Sequence, residues 1–256
     1  MTDLEELYQL IEWPEDLDSD AGRRRFESAL NAFRGLTFQT KAYTIIDVTG
    51  GTGIGGIALA KAIQEKGYEV KRFVITDLRA NALRKAEEYS QRVLGFRAET
   101  YVLDAREVHK LNVKADVVLN YGNSLPHFSV SDFIKFVKSS YHSLKEDGIL
   151  MIQGKDMLHA YLIKGYKEIF LEKATDRKVL VSLHKGYDQR RGMFRRAFLD
   201  LLSGKMADLE EKFWDFGEIT GICELFFRNV ELRTLEGDNG LVICSGKRPP
   251  EEIISP

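Results

Sequence analysis

Five features of this chain have the residue types and spacing to do chemistry: Asp47, the glycines at 50, 51, 53 and 56, Asp77, Asp104 and His127. The glycines stand directly behind a β-branched run at 43–48. Such a turn lets bare backbone approach a ligand, because glycine tolerates positive φ and has no Cβ. The helix expected next points its amide groups at the same place. Gly51, Gly53 and Gly56 fit Gly-x-Gly-x-x-Gly, and Asp77 closes the next apolar run. That spacing is the one by which a dinucleotide is held, pyrophosphate on the glycines and ribose on the acid. Asp47 argues for another ligand. Lying four positions before Gly51, it sets a carboxylate beside the turn, which repels a pyrophosphate and attracts a cationic amino acid group. Segment 1–41 also precedes the first strand, where a dinucleotide unit often starts near the beginning of its domain, and Asp104-Ala105 adds a second acid at the same edge.

These residues need a scaffold that brings strand ends together. From residue 43 the chain alternates β-branched runs with helical patterns: strand 43–48, helix 54–66, strand 70–76, helix 79–94, strand 98–103, strand 115–120, helix 130–145, strand 148–153. Such alternation predicts βαβ units and a parallel sheet with helices on both faces. Beyond Gln153 the pattern changes. Residues 155–172 read as helical, 178–186 and 192–202 as strands around the turn 186–192, and 217–226 as a short helix. Strands 228–236 and 240–246 have only a tight turn between them, so they must be antiparallel. Residues 1–41 are helical in pattern with a break at Trp13-Pro14.

The bulk numbers fit a soluble α/β protein. The 256 residues carry 44% hydrophobic and 30% charged side chains and a formal net charge of −2, which gives no general electrostatic pull on nucleic acid. The two cysteines, Cys223 and Cys244, form no Cys-x-x-Cys pattern, which argues against a disulfide framework or a zinc site and fits a reducing interior. The acidic amino terminus is unlike a signal peptide, and no apolar run reaches membrane-spanning length. The expectation is a cytoplasmic protein with no membrane contact and no metal.

Residues 45–53, Ile-Ile-Asp-Val-Thr-Gly-Gly-Thr-Gly, resemble the first motif of class I S-adenosylmethionine-dependent methyltransferases, with Thr49 standing where the motif has its first glycine. The resemblance continues through 115–128 as a fourth-strand motif. Its Gly-Asn-Ser-Leu-Pro-His is similar to versions in small-molecule methyltransferases akin to glycine N-methyltransferase. Lys145-Glu146-Asp147-Gly148 matches the approach to strand five without its proline. Together these cover 43–153 well and 213–246 moderately. The resemblance implies a Rossmann-like, doubly wound, seven-stranded and mostly parallel sheet with an antiparallel final hairpin, plus an inserted α+β cover after strand five. The domains expected are a helical lid at 1–41, the cofactor core at 42–154, the substrate cover at 155–216 and the completion of the core sheet at 217–256.

The same resemblance implies S-adenosyl-L-methionine as cofactor, with S-adenosyl-L-homocysteine as product. Gly50, Gly51 and Gly53 would pass under its methionine part, beside Asp47 and Thr49. Asp77 would hold the ribose diol, with Leu78 next to the adenine and Asp104 and Ala105 on the adenine amine and ring. Asn120 and Tyr121, at the end of strand four, join this set. Asp77 could also serve as the N-cap of helix 79–94.

His127 lies just beyond a strand's carboxyl end, where open α/β sheets bind ligands, and could deprotonate an acceptor near neutral pH. Tyr121 is a second candidate for catalysis. Asn123, His127, Tyr187, Arg190 and Arg191 are candidates for acceptor binding, the last three within the basic run 185–196. That run is either a solvated hairpin or an arginine-lined wall for an anionic substrate. The expected acceptor is a small molecule. Alternatives are an RNA or protein acceptor docked on the basic run, and, in another class, an NAD(P)-dependent oxidoreductase or a non-catalytic cofactor-binding module.

Overall fold

A computed structural model describes residues 4–38 and 40–254. Its first helices are α1 (Leu4–Ile11) and α2 (Asp20–Arg34). The hydroxyl of Ser19 accepts the Gly22 amide and so caps α2, which buries Leu30 and Phe33 on one face. Strand β1 (Ala42–Val48) is buried from Tyr43 onward, as a central parallel strand must be. It is followed by α3 (Ile54–Glu65), β2 (Glu69–Asp77), α4 (Ala80–Leu94), β3 (Glu99–Val102), β4 (Ala115–Asn120), α5 (Val130–Ser143) and β5 (Leu144–Lys155). Next come α6 (Met157–Lys164), the strands β6 (Ile169–Thr175), β7 (Lys178–Asp188), β8 (Met193–Asp200) and β9 (Met206–Glu211), then α7 (Phe216–Glu224), β10 (Phe227–Thr234) and β11 (Asn239–Lys247).

The chain divides into two compact units. The larger, residues 14–124, 134–155 and 216–254, holds a seven-stranded sheet in the order β10-β11-β5-β4-β1-β2-β3. All neighbours are parallel except β11, which runs antiparallel to both β5 and β10. This is the doubly wound sheet with a closing antiparallel hairpin that the alternation predicts. The order reverses at β1, which has β2 on one side and β4 on the other, so β1 and β4 flank the crevice where such sheets bind ligands. Ile45, Ile57, Leu59, Ile63, Phe73, Ile75, Leu83 and Leu119 form its core. Cys223 and Cys244 are free and buried.

The smaller unit, residues 4–13, 125–133 and 156–215, carries the antiparallel sheet β6-β7-β8-β9. Leu7 and Leu10 of α1 pack on Leu180 and Ala207 of this sheet. Residues 125–127 are tied to the segment after β9, where Trp214 Nε1 donates to the Leu125 carbonyl (2.9 Å) and the Lys212 amide to that of Pro126 (2.8 Å).

Local boundaries moved in several places. The helix expected over 155–172 ends at Lys164 because Gly165 takes φ 74°, and β6 begins where the helix was expected to continue. The turn expected over 186–192 is shorter. β7 runs through Gly186, which sits in a bulge at φ 146°, and reverses only after Asp188. Helix α5 stops at Ser143, and β5 takes over the residues 144–147. Strand β9, short and acidic, is not predicted by the sequence pattern. Among the described residues, no helix is long and apolar enough to cross a membrane.

Candidate functional site

The turn after β1 is built around Asp47. Its carboxylate is fully buried, and Oδ2 accepts the Gly56 amide at 3.0 Å. A Cβ on Gly56 would lie 2.4 Å from that oxygen, so α3 can start against the carboxylate only with glycine there. Asp47 Oδ1 is buried and has no hydrogen-bond partner among the described residues. Burial pushes the carboxyl up to about 8, and nearby Asp77 pushes the same way, while the Gly56 amide and Arg25 pull against it. The turn then runs through Thr49 (φ 58°), Gly51 (φ 56°) and Gly53 (φ 82°), which caps α3. A β-branched residue at positive φ is strained. Thr49 is held there by its hydroxyl, which donates to the Val48 carbonyl (2.5 Å) and accepts from Asn120 Nδ2 (2.7 Å).

At the end of β2, Asp77 is committed on both oxygens. Oδ2 accepts the Gly51 amide (2.8 Å), and Oδ1 accepts the Arg79 amide (2.9 Å) and Nε (3.3 Å). Asp77 therefore supports the entry to α4, whose N-cap position is Arg79, while it also ties β2 to the glycine turn. Arg79 forms a fork with Glu15 (Nη1–Oε1 2.9 Å, Nη2–Oε2 2.8 Å). Neither residue was singled out from the sequence, because the pair is separated by 64 positions. Leu78 is 55% exposed, and Ala105 is buried. Asp104 accepts the Arg106 amide (2.8 Å) and caps the short 3-10 helix Ala105–Leu111.

β4 ends on Asn120, fully buried beside Thr49. Its Nδ2 reaches the Val48 carbonyl (3.3 Å), which can only accept, so the amide orientation is fixed; Oδ1 has no partner among the described residues. Tyr121 packs on Phe33 (ring centroids 5.3 Å) and over Gly55, where a Cβ would come within 2.6 Å of it. Burial raises the Tyr121 pKa, which holds its proton in place. Gly122 and Asn123 follow at φ 123° and 59°, with both amides donated to Gln153 Oε1 (3.0 and 2.8 Å). Arg25 reaches the carbonyls of Gly122 (3.4 Å) and Pro14 (3.2 Å). The structure thus brings Asp47, Thr49, Gly50, Gly51, Gly53, Asp77, Asn120, Tyr121 and Asn123 to the carboxyl edge of one sheet and adds Glu15, Arg25, Arg79, Ser124 and Gln153.

His127, Tyr187, Arg190 and Arg191 belong to the smaller unit. His127 Nε2 lies 3.0 Å from the Tyr8 hydroxyl. Tyr187 is 47% exposed and packs on Phe194. The basic run is neutralised in part by the neighbouring strand: Lys185 pairs with Asp208 (2.9 Å), Arg191 with Glu210 (2.6 Å) and Arg196 with Glu211 (3.8 Å). Arg196 is buried against Ser182 and Tyr166, and the Arg190 amide donates to Asp188. Interleaved acids on β9 account for this, and nothing within 185–196 itself announces them.

Residues 45–148 match a family model described as a methyltransferase domain. No curated protein matches the chain at the sequence level. Among solved structures, the PH0226 protein from Pyrococcus horikoshii OT3 superposes with a TM-score of 0.69 at 19% identity, covering 94% of this chain and 99% of that one. An S-adenosylmethionine-dependent methyltransferase from Clostridium acetobutylicum gives 0.63 at 15% identity, covering 96% and 98%. The sugar N-methyltransferase KedS8 from Streptoalloteichus sp. gives 0.60 at 13%, covering 97% and 94%. At these identities the likeness is one of fold.

Proposed function

We propose, proceeding from the match of residues 45–148 to a methyltransferase-domain family model, that this chain is a class I S-adenosylmethionine-dependent methyltransferase that transfers a methyl group to a nitrogen or oxygen atom of a small-molecule acceptor. The observation that carries this reading is Asp47 Oδ1, a buried carboxylate oxygen without a partner beside a glycine turn. An oxygen left in that condition is costly unless a donor reaches it. The ammonium of an amino acid moiety is such a donor, so the residues present fit S-adenosylmethionine. Asn120 Oδ1 offers a second unfilled acceptor.

In this reading Gly50, Gly51 and Gly53 lie under the methionine part, with Thr49, Asn120 and Tyr121 closing its side. Asp77 takes the ribose hydroxyls, and Leu78, Asp104 and Ala105 line the adenine. Bound there, the cofactor supplies a sulfonium-activated methyl group. The protein's own work is then alignment for in-line displacement and exclusion of water. His127 takes the acceptor's proton, steadied by Tyr8, and Asn123 orients the acceptor. Segment 155–216 carries acceptor specificity. A small molecule is favoured over RNA because acids of β9 pair with Lys185, Arg191 and Arg196 of the basic run and the chain's formal net charge is −2. Similar folds include a sugar N-methyltransferase and an O-methyltransferase family protein, which supports a nitrogen or oxygen nucleophile. A cytoplasmic location fits the two free cysteines.

Calorimetric titration tests the donor. S-adenosylhomocysteine should bind and raise the unfolding temperature, whereas stabilisation by NAD alone would refute it. Incubation of cell extract with radiolabelled S-adenosylmethionine tests the acceptor class: label should enter the small-molecule fraction, and label confined to RNA or protein would overturn that part.

A further inference from the structure

The glycine turn has the spacing of a phosphate seat but is already filled by the protein's own groups. In a dinucleotide-binding turn, backbone amides of the glycines and of the following helix stay free for the pyrophosphate. Here the amides of Gly50, Gly51, Gly53 and Gly56 donate to Thr76 O, Asp77 Oδ2, Gly50 O and Asp47 Oδ2. Two of those four acceptors are side-chain carboxyl groups. Directly over Gly51, a Cβ would meet Arg79 Nη2 at 2.8 Å and Glu15 Oε2 at 3.4 Å. The two side chains are 7% and 20% exposed. Glu15 is also held by its backbone, since the Thr52 hydroxyl donates to its carbonyl at 2.6 Å.

We infer that Glu15, by occupying the Arg79 guanidinium above Gly51, makes this turn reject phosphorylated nucleotides and so sets its preference for an adenosyl cofactor that carries no phosphate. The inference rests on the reading of the cofactor given above. An uncommitted guanidinium over a glycine turn would present a planar fork to a phosphate, the geometry arginine recognises best. Glu15 takes both terminal nitrogens of that fork. An entering phosphate would have to displace a bidentate carboxylate and then sit between Glu15 and Asp77. S-adenosylmethionine has no phosphate and meets neither obstacle.

The test compares ADP and S-adenosylhomocysteine by calorimetry on the full chain. Glu15→Gln keeps the shape of Glu15 and removes its charge, and it should tighten ADP binding at least about tenfold. Glu15→Asp should leave ADP binding as in the wild type. In Glu15→Gln/Arg79→Met the gain should disappear, because the cation that would hold the phosphate has gone. Thermal unfolding of each variant separates a changed ligand preference from a damaged fold. ADP affinity that differs less than twofold between the wild type and a folded Glu15→Gln would overturn the inference, whether or not S-adenosylhomocysteine binds. Failure of the wild type to bind S-adenosylhomocysteine would instead overturn the proposed function.

Discussion

Replacing Asp47 with asparagine should stabilise the protein free of ligand while weakening its hold on the cofactor. The carboxyl is fully buried, and burial moves it from 3.8 to about 8. The folded chain therefore keeps a proton that the unfolded chain releases above about pH 4. Raising the pH then favours the unfolded state until the buried carboxyl ionises near pH 8. Each pH unit across that window withdraws about 1.4 kcal/mol, which accumulates to the order of 5 kcal/mol by pH 8. Asparagine does not titrate. Its carbonyl oxygen can still accept the Gly56 amide, and its NH2 replaces the O–H of the neutral acid at the unpartnered position. Below about pH 4 the two proteins should match within about 1 kcal/mol. At pH 7 Asp47→Asn should be more stable by about 4 kcal/mol, on the order of 10 °C in unfolding temperature for a chain of this length. Thermal unfolding at constant ionic strength between pH 4.5 and 9 reads this directly. The difference should grow up to about pH 8 and then level off. A difference independent of pH, or a wild type more stable than the variant at pH 7, would refute the buried, proton-holding Asp47.

Three further outcomes are expected. The affinity of wild type for S-adenosylhomocysteine should rise by up to about tenfold per pH unit between pH 6 and 8, because the ammonium needs Asp47 ionised, and should be flat in Asp47→Asn; calorimetry in two buffers checks the released proton. Asp77→Ala removes the proposed ribose acceptor and the partner of the Gly51 amide, so S-adenosylhomocysteine should bind about a hundredfold more weakly, about 3 kcal/mol; wild-type affinity would remove the ribose assignment. His127→Ala should leave the dissociation constant of S-adenosylhomocysteine within about twofold and slow transfer of labelled methyl groups about a hundredfold; an unchanged rate would take His127 out of the chemistry.

Much of the larger unit was legible because its signals are local. A β-branched run followed by glycines marks β1 and its turn, and β2 and β4 end on polar residues, Asp77 and Asn120, that suit the sheet's carboxyl edge. The tight connection near Gly237 dictates an antiparallel final pair, as found. The smaller unit was legible only in part. β7 and β8 show through their turn, but β9 is short and acidic, and the helical pattern after Gln153 conceals the glycine that ends α6. No local pattern says that residues 4–13 and 125–133 join these strands in one unit.

By itself the sequence determined the turn and the residues at its edge: glycines whose missing Cβ leaves the backbone open to close approach, and the acids Asp47 and Asp77 near successive strand ends, the residues proposed to meet an adenosyl amino acid. Tertiary structure alone decided their state. Asp47 keeps its proton because packing removes it from water, Asp77 is held on both oxygens, and Glu15 reaches Arg79 across 64 positions to roof the turn. Desolvation and pairing between distant charges depend on where the chain returns in space, which residue type and spacing do not encode.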